Sequence, residues 1–179
     1  MALVALALAA SACGGSSSAT STGSTSVTGK FKAPLPAGKD PSTVSKEVCS
    51  TEAPHDVAEA LGEKAVVSKP TWVDDLYTCR YSYGTTEAMT LSVKELSSWP
   101  ETYAYFDGLE TQLGVTRRLQ GLGQGAFQTP NGSVVVRKDW KVLLVDVSQL
   151  PPSFGNPPTT PGVIGLAVAD VVLGCWAGD

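Results

Sequence analysis

Two kinds of apolar periodicity alternate along this chain, and their order limits the fold more than any single motif does. Val57, Ala60 and Leu61 recur at helical spacing, with Pro54 suited to the first turn and Gly62 to the stop. Ala65-Val66-Val67 starts a strand that Pro70 ends. Leu76 to Tyr83 then alternates, with Tyr77, Cys79, Tyr81 and Tyr83 on one face, and Ala88 to Leu96 answers it with Met89, Leu91 and Val93. Helical spacing returns with Trp99, Tyr103, Phe106, Leu109 and Leu113, introduced by Ser98 and Glu101 as a capping box and closed by Gly114. A second hairpin follows, Ser133 to Lys138 and Lys141 to Val147 around Asp139-Trp140. After a proline-rich loop, Leu150 to Pro161, a last helix runs from Gly162 to Cys175, apolar nearly all round and so expected to be well buried.

Helix, hairpin, helix, hairpin, helix is an α+β order. Sequential hairpins pair antiparallel, and separate helices must cover a sheet. The expected fold is a two-layer sandwich with an antiparallel sheet of hairpins and helices on one face. The helix-plus-hairpin unit occurs twice and hints at an internal pseudo-repeat.

The ends of the chain read differently. Residues 1–12 are uncharged and apolar, closing on Ala10-Ser11-Ala12 before Cys13-Gly14-Gly15. An apolar stretch before small residues reads as a secretory signal peptide, and the cysteine directly after it resembles a bacterial lipobox. Ala10 stands where that pattern usually has Leu, and no Lys or Arg precedes Lys30, so the signal reads as truncated at its start. Gly14 to Gly29 is almost wholly Gly, Ser, Thr and Ala, and Lys30 to Lys46 holds Pro34, Pro36 and Pro41. Neither can bury enough apolar surface to fold alone. Residues 13–46 are therefore expected to be a lipidated cysteine and a tether spanning roughly 30 Å, and residues 47–179 a single domain.

The net charge of −4 argues against nucleic acid as a partner, since that needs a basic face. Four cysteines are present. With Cys13 carrying lipid, Cys49, Cys79 and Cys175 allow three single bridges, and outside the cytoplasm thiols tend to pair. Cys49 before a helix and Cys79 within a strand are the favoured pair. Cys175 then remains in an apolar segment, read as a small buried hydrophobe.

Few residues invite chemistry. His55 is the only histidine and falls in the first turn of a helix, with no second His or Cys at ligand spacing. Asp74-Asp75 lack the oxygens of a calcium loop. Gly121-Leu122-Gly123-Gln124-Gly125 precedes a strand rather than a helix, so it reads as a turn allowing close backbone approach and not as a dinucleotide loop. Asp170 marks the one exposed stripe of its helix or sits buried with a partner. Trp72, Trp140 and Phe154 are aromatic residues in turns and loops. Such residues mark partner sites unless they pack back onto the domain, and they form the candidate binding surface. No catalytic residue, metal ligand or cofactor is assigned.

Cys49-x7-Val57-x3-Leu61-Gly62, Cys79-Arg80-Tyr81, Gly121 to Phe127 and Val136-Arg137-Lys138 together resemble a group of uncharacterised actinobacterial cell-envelope lipoproteins with one domain of unknown function. In that group the first helix starts with Thr where this chain has Ala53, and a Gly-Asp or Gly-Asn turn stands where this chain has Asp139-Trp140. The resemblance implies an extracytoplasmic, membrane-anchored location and a Cys49–Cys79 bridge. It implies no reaction. The function expected is a non-enzymatic, lipid-anchored module binding a small apolar ligand or an envelope protein. The rivals are an envelope hydrolase with catalytic residues that the sequence does not reveal, and a sensory or accessory module of a membrane protein.

Overall fold

A computed structural model describes residues 34–176. The elements in chain order are α1 (Thr43–Glu47), α2 (Glu52–Leu61), β1 (Val66–Val67), β2 (Thr71–Val73), β3 (Leu76–Ser82), β4 (Ala88–Glu95), α3 (Trp99–Leu113), β5 (Arg117–Leu119), β6 (Gly125–Gln128), β7 (Val134–Lys138), β8 (Lys141–Gln149) and α4 (Pro161–Cys175). The strands form one antiparallel sheet in the order β1-β3-β4-β8-β7-β6-β5, with β2 also on the outer side of β3. β1 and β2 share one edge, interrupted where Pro70 can donate no ladder bond. The fold is α+β, as the alternation of periods requires.

The sheet has two covered faces. Tyr77, Cys79, Tyr81, Leu91, Val93, Val134, Val136, Leu143 and Val145 pack with Val48, Val57, Ile164, Val168 and Val172 of the segments around α1, α2 and α4. Val135, Val142 and Phe127 point to the opposite face and pack with Phe106 of α3, whose ring meets Phe127 edge-on at 5.2 Å. Successive strand residues point to opposite faces, so three helices cover one side and α3 alone covers the other. The expectation of helices on one face therefore holds for α1, α2 and α4 only. The alternation Val134-Val135-Val136 is apolar on both sides, which is why a second layer is needed. The repeated helix–hairpin unit survives as two meanders meeting at β4 and β8, but their leading helices lie on opposite faces.

The packed region starts before residue 47. Ser42 caps α1, its Oγ accepting from the Ser45 N–H at 3.2 Å. The Ser42 N–H and Ser45 hydroxyl both donate to Oε1 of Glu95, at 2.8 and 2.5 Å. Glu95 is 3% exposed, so these bonds satisfy a carboxylate that burial would otherwise penalise. Val44 and Val48 enter the core. The prolines predicted a tether through Lys46; the buried acceptor on β4 docks its last residues instead. Residues 34–41 lead into this segment, and the Ala37 N–H donates to the Leu96 carbonyl at 3.1 Å; the signal peptide, Cys13 and the tether up to residue 33 lie outside the described residues.

Helix α3 follows its sequence signals closely. Ser98 caps it, accepting from the Glu101 N–H at 3.4 Å, while Glu101 accepts from the Ser97 N–H at 3.0 Å. Of its predicted apolar face only Phe106 is buried, and Tyr103 is 47% exposed.

Candidate functional site

The sheet ends at β5; α4 packs on α2, β7 and β8, and a cleft separates one of its flanks from Leu119 of β5. Ile164, Gly165, Val168, Ala169 and Val172 are buried. Val163 remains 54% exposed, Leu166 and Ala167 are half-buried, and Asp170 faces solvent. The helix expected to be buried all round thus keeps one open flank, and Asp170 marks it.

Between that flank and the β5–β6 loop lie two adjoining clefts. One, of about 410 Å³, is lined by Leu119, Gln120, Leu122, Val163, Leu166 and Ala167. The other, of about 420 Å³, is lined by Gly123, Gln124, Lys138, Leu173 and Gly174. Gly121, Leu122 and Asp170 belong to both. The first is aliphatic apart from its rim; the second is polar at Gln124, Lys138 and Asp170. Volumes above about 300 Å³ lie in the range of small-molecule sites.

The loop wall of these clefts is tied to β7 and to the β7–β8 turn. Gly121 and Gly123 both have positive φ, at 76° and 57°, a region that glycine enters without penalty. A Cβ on Gly123 would stand 2.6 Å from Val136 Cγ1 and 2.8 Å from the Arg137 carbonyl, so the loop approaches β7 as the glycine run predicts. The Gln124 side chain exchanges two 3.0 Å hydrogen bonds with Asp139: Nε2 donates to Oδ1, and Oε1 accepts from the Asp139 N–H. Arg137 donates to the Gln124 carbonyl at 2.7 Å. Its guanidinium also lies 4.2 Å from the centre of the Tyr103 ring, a cation–π contact that joins α3 to β7. At the far end Lys138 Nζ donates to the Trp176 carbonyl at 2.6 Å, closing the last turn of α4.

The three aromatic residues expected to form one surface are not brought together. Trp72 lies opposite Tyr77 on the outer edge of β3, and its Nε1 donates to the Lys39 carbonyl at 3.0 Å. Phe154 packs edge-on against Tyr83, at 4.8 Å. Tyr77 and Tyr83 are six positions apart along extended chain, which separates those contacts by about 20 Å. Trp140 meets Trp99 at the start of α3, on the other side of the sheet. Each ring packs back onto the domain. The candidate groove instead uses Leu119, Leu122, Val163, Leu166 and Ala167, and the missed signal was the stripe Val163, Leu166, Ala167 and Asp170, which recurs at helical spacing on one flank of α4.

Two further expectations can be placed. Cys49 and Cys79 lie at disulfide distance, with Cα atoms 6.0 Å apart. Asp74 and Asp75 have φ of 49° and 55° and make the two-residue turn between β2 and β3. The Asp75 carbonyl accepts from the Glu95 N–H at 2.8 Å, so this pair is structural.

No helix among the described residues is long and apolar enough to cross a membrane. No protein-family model matches the chain, and no curated protein or solved structure matches it. What the groove does must be argued from its own chemistry.

Proposed function

We propose that this chain is a non-enzymatic binding module, held outside the plasma membrane by lipid on Cys13, and that it takes a small apolar ligand in the groove between α4 and the β5–β6 loop. The observation that carries this reading is the aliphatic lining of a cleft of about 410 Å³. Covering its half-buried wall removes apolar surface from water, at roughly 25 cal/mol per Å². The ties from Gln124 to Asp139 and Arg137 hold one wall in place and lower the ordering cost when a ligand enters. The resemblance to actinobacterial envelope lipoproteins and the small-residue run before Cys13 support the location. Envelope ligands of matching chemistry are single-chain lipids and other aliphatic compounds.

Titration of the full chain with a fluorescent fatty-acid analogue tests the groove. One saturable site is expected. Leu166→Asp puts a charge into the aliphatic wall and should weaken binding about tenfold or more, a change of at least about 1.4 kcal/mol. Trp140→Ala should bind like the parent chain, because that ring lies away from the groove. Absence of saturable binding, or full affinity in Leu166→Asp, would rule the reading out. Anchoring is tested separately: Cys13→Ala should release the protein into the medium, since acyl chains hold a protein by about 0.8 kcal/mol per buried CH₂.

A further inference from the structure

The groove is chemically graded along α4. Val163, Leu166 and Ala167 line the aliphatic cleft, Asp170 belongs to both clefts, and Leu173 and Gly174 line the polar one. These residues recur at helical spacing on one flank, so the gradient follows the helix axis. Among the described residues, Asp170 and Lys138 are the charged groups lining it.

The two charges differ in place and in freedom. Asp170 stands where the clefts join, is exposed, and has no hydrogen bond or ion pair among the described residues. Lys138 lines the polar cleft alone. Its Nζ is held on the Trp176 carbonyl at 2.6 Å, which uses one of the three protons of an ammonium and leaves the others to donate. Trp176 is six positions past Asp170, about 9 Å further along the axis at helical rise. From the aliphatic end outward, a ligand meets apolar wall, then a carboxylate, then an ammonium. The complementary head carries its positive charge beside the chain and its negative charge beyond it. The reverse order sets like charges against each other at both positions.

We infer that the groove takes single-chain amphiphiles with a zwitterionic head, the cationic group next to the chain on Asp170 and the anionic group beyond it on Lys138. This head assignment rests on the groove being the ligand site and adds what its polar end selects.

Two zwitterions of one chain length separate the orders. Dodecyl sulfobetaine has its ammonium next to the chain and its sulfonate outside; dodecylphosphocholine has its phosphate next to the chain and its ammonium outside. Competition against the fluorescent fatty-acid analogue, with each amphiphile below its micelle concentration, gives both affinities for the full chain. The sulfobetaine should bind at least about fivefold more tightly, the size of one solvent-exposed ion pair, and high salt should shrink the difference. Asp170→Asn, a conservative change at an exposed position, should erase the preference, and Lys138→Met should reduce it. Uncharged monolauroylglycerol should bind the parent and Asp170→Asn alike, because it uses the aliphatic wall only. Equal affinity for the two zwitterions, or a preference that survives Asp170→Asn, overturns the head assignment and leaves the groove in place. Lack of saturable binding by all three amphiphiles removes the groove as a ligand site, and the head assignment with it.

Discussion

The Tyr81 hydroxyl donates to the Val48 carbonyl at 2.6 Å. This bond lies beside the Cys49–Cys79 pair, so one covalent and one polar link fasten the segment after α1 to the middle of β3. Both residues on β3 are buried, Cys79 at 1% and Tyr81 at 0% exposure. Cys79→Ala opens a loop of 30 positions and should lower stability by roughly 3–4 kcal/mol. Tyr81→Phe leaves the Val48 carbonyl without its donor and should lower stability by about 1–3 kcal/mol. Urea unfolding of the oxidised proteins measures both. Equal stability of Cys79→Ala and the parent would show that the bridge is absent in solution.

Alkaline pH should act through the same region. Burial raises the Tyr81 phenol well above its ordinary value of 10.0, with Tyr83 adding to the shift. Burial, and then the Glu63 carboxylate, raises Tyr83 in the same direction. The folded state therefore favours the protonated phenols. Their contribution is complete below pH 10 and is lost progressively as pH rises beyond it, because only the unfolded chain then releases those protons readily. Spectrophotometric titration should show phenolate absorbance from these two rings appearing together with unfolding. Ionisation of both near pH 10 in an intact fold contradicts the burial argument.

The glycine loop offers a paired comparison. Gly121 and Gly123 share a positive φ, but a Cβ on Gly121 meets nothing within 4 Å, whereas one on Gly123 collides with Val136 and the Arg137 carbonyl. Gly121→Ala should cost about 1 kcal/mol, from conformation alone. Gly123→Ala should cost more, about 2–4 kcal/mol, because the loop must also lift from β7. Fatty-acid-analogue binding should weaken with it, since this loop is one wall of the groove. Thermal melts that rank the two variants in reverse would show that the loop does not sit against β7.

Much of this architecture was legible along the chain. The period-two runs around Tyr77 to Tyr83 and Met89 to Val93, the Ser98 cap and the Gly62 stop each act over a few residues, where propensity and capping decide. The Asp139-Trp140 turn was placed correctly, although both residues adopt positive φ and Trp140 is a bulky side chain in that region. It is held there by the Leu96 N–H donating to its carbonyl at 2.9 Å and by Trp99 against its ring. The docking of residues 42–48 was not legible, because its cause is Glu95, some fifty positions away.

Sequence alone placed α2, α3 and α4 and the hairpins β3–β4 and β7–β8 in order, with their antiparallel pairing and turns, because those depend on neighbours within a few residues; it did not place α1, β2, β5 or β6. Only the tertiary structure decided that α3 covers the second face, that α4 keeps an open apolar flank beside β5, and that Cys175 meets Asp56. Those outcomes depend on how much apolar area each layer can bury against another. Such a sum is made in space, between residues far apart in the chain, and no local pattern carries it.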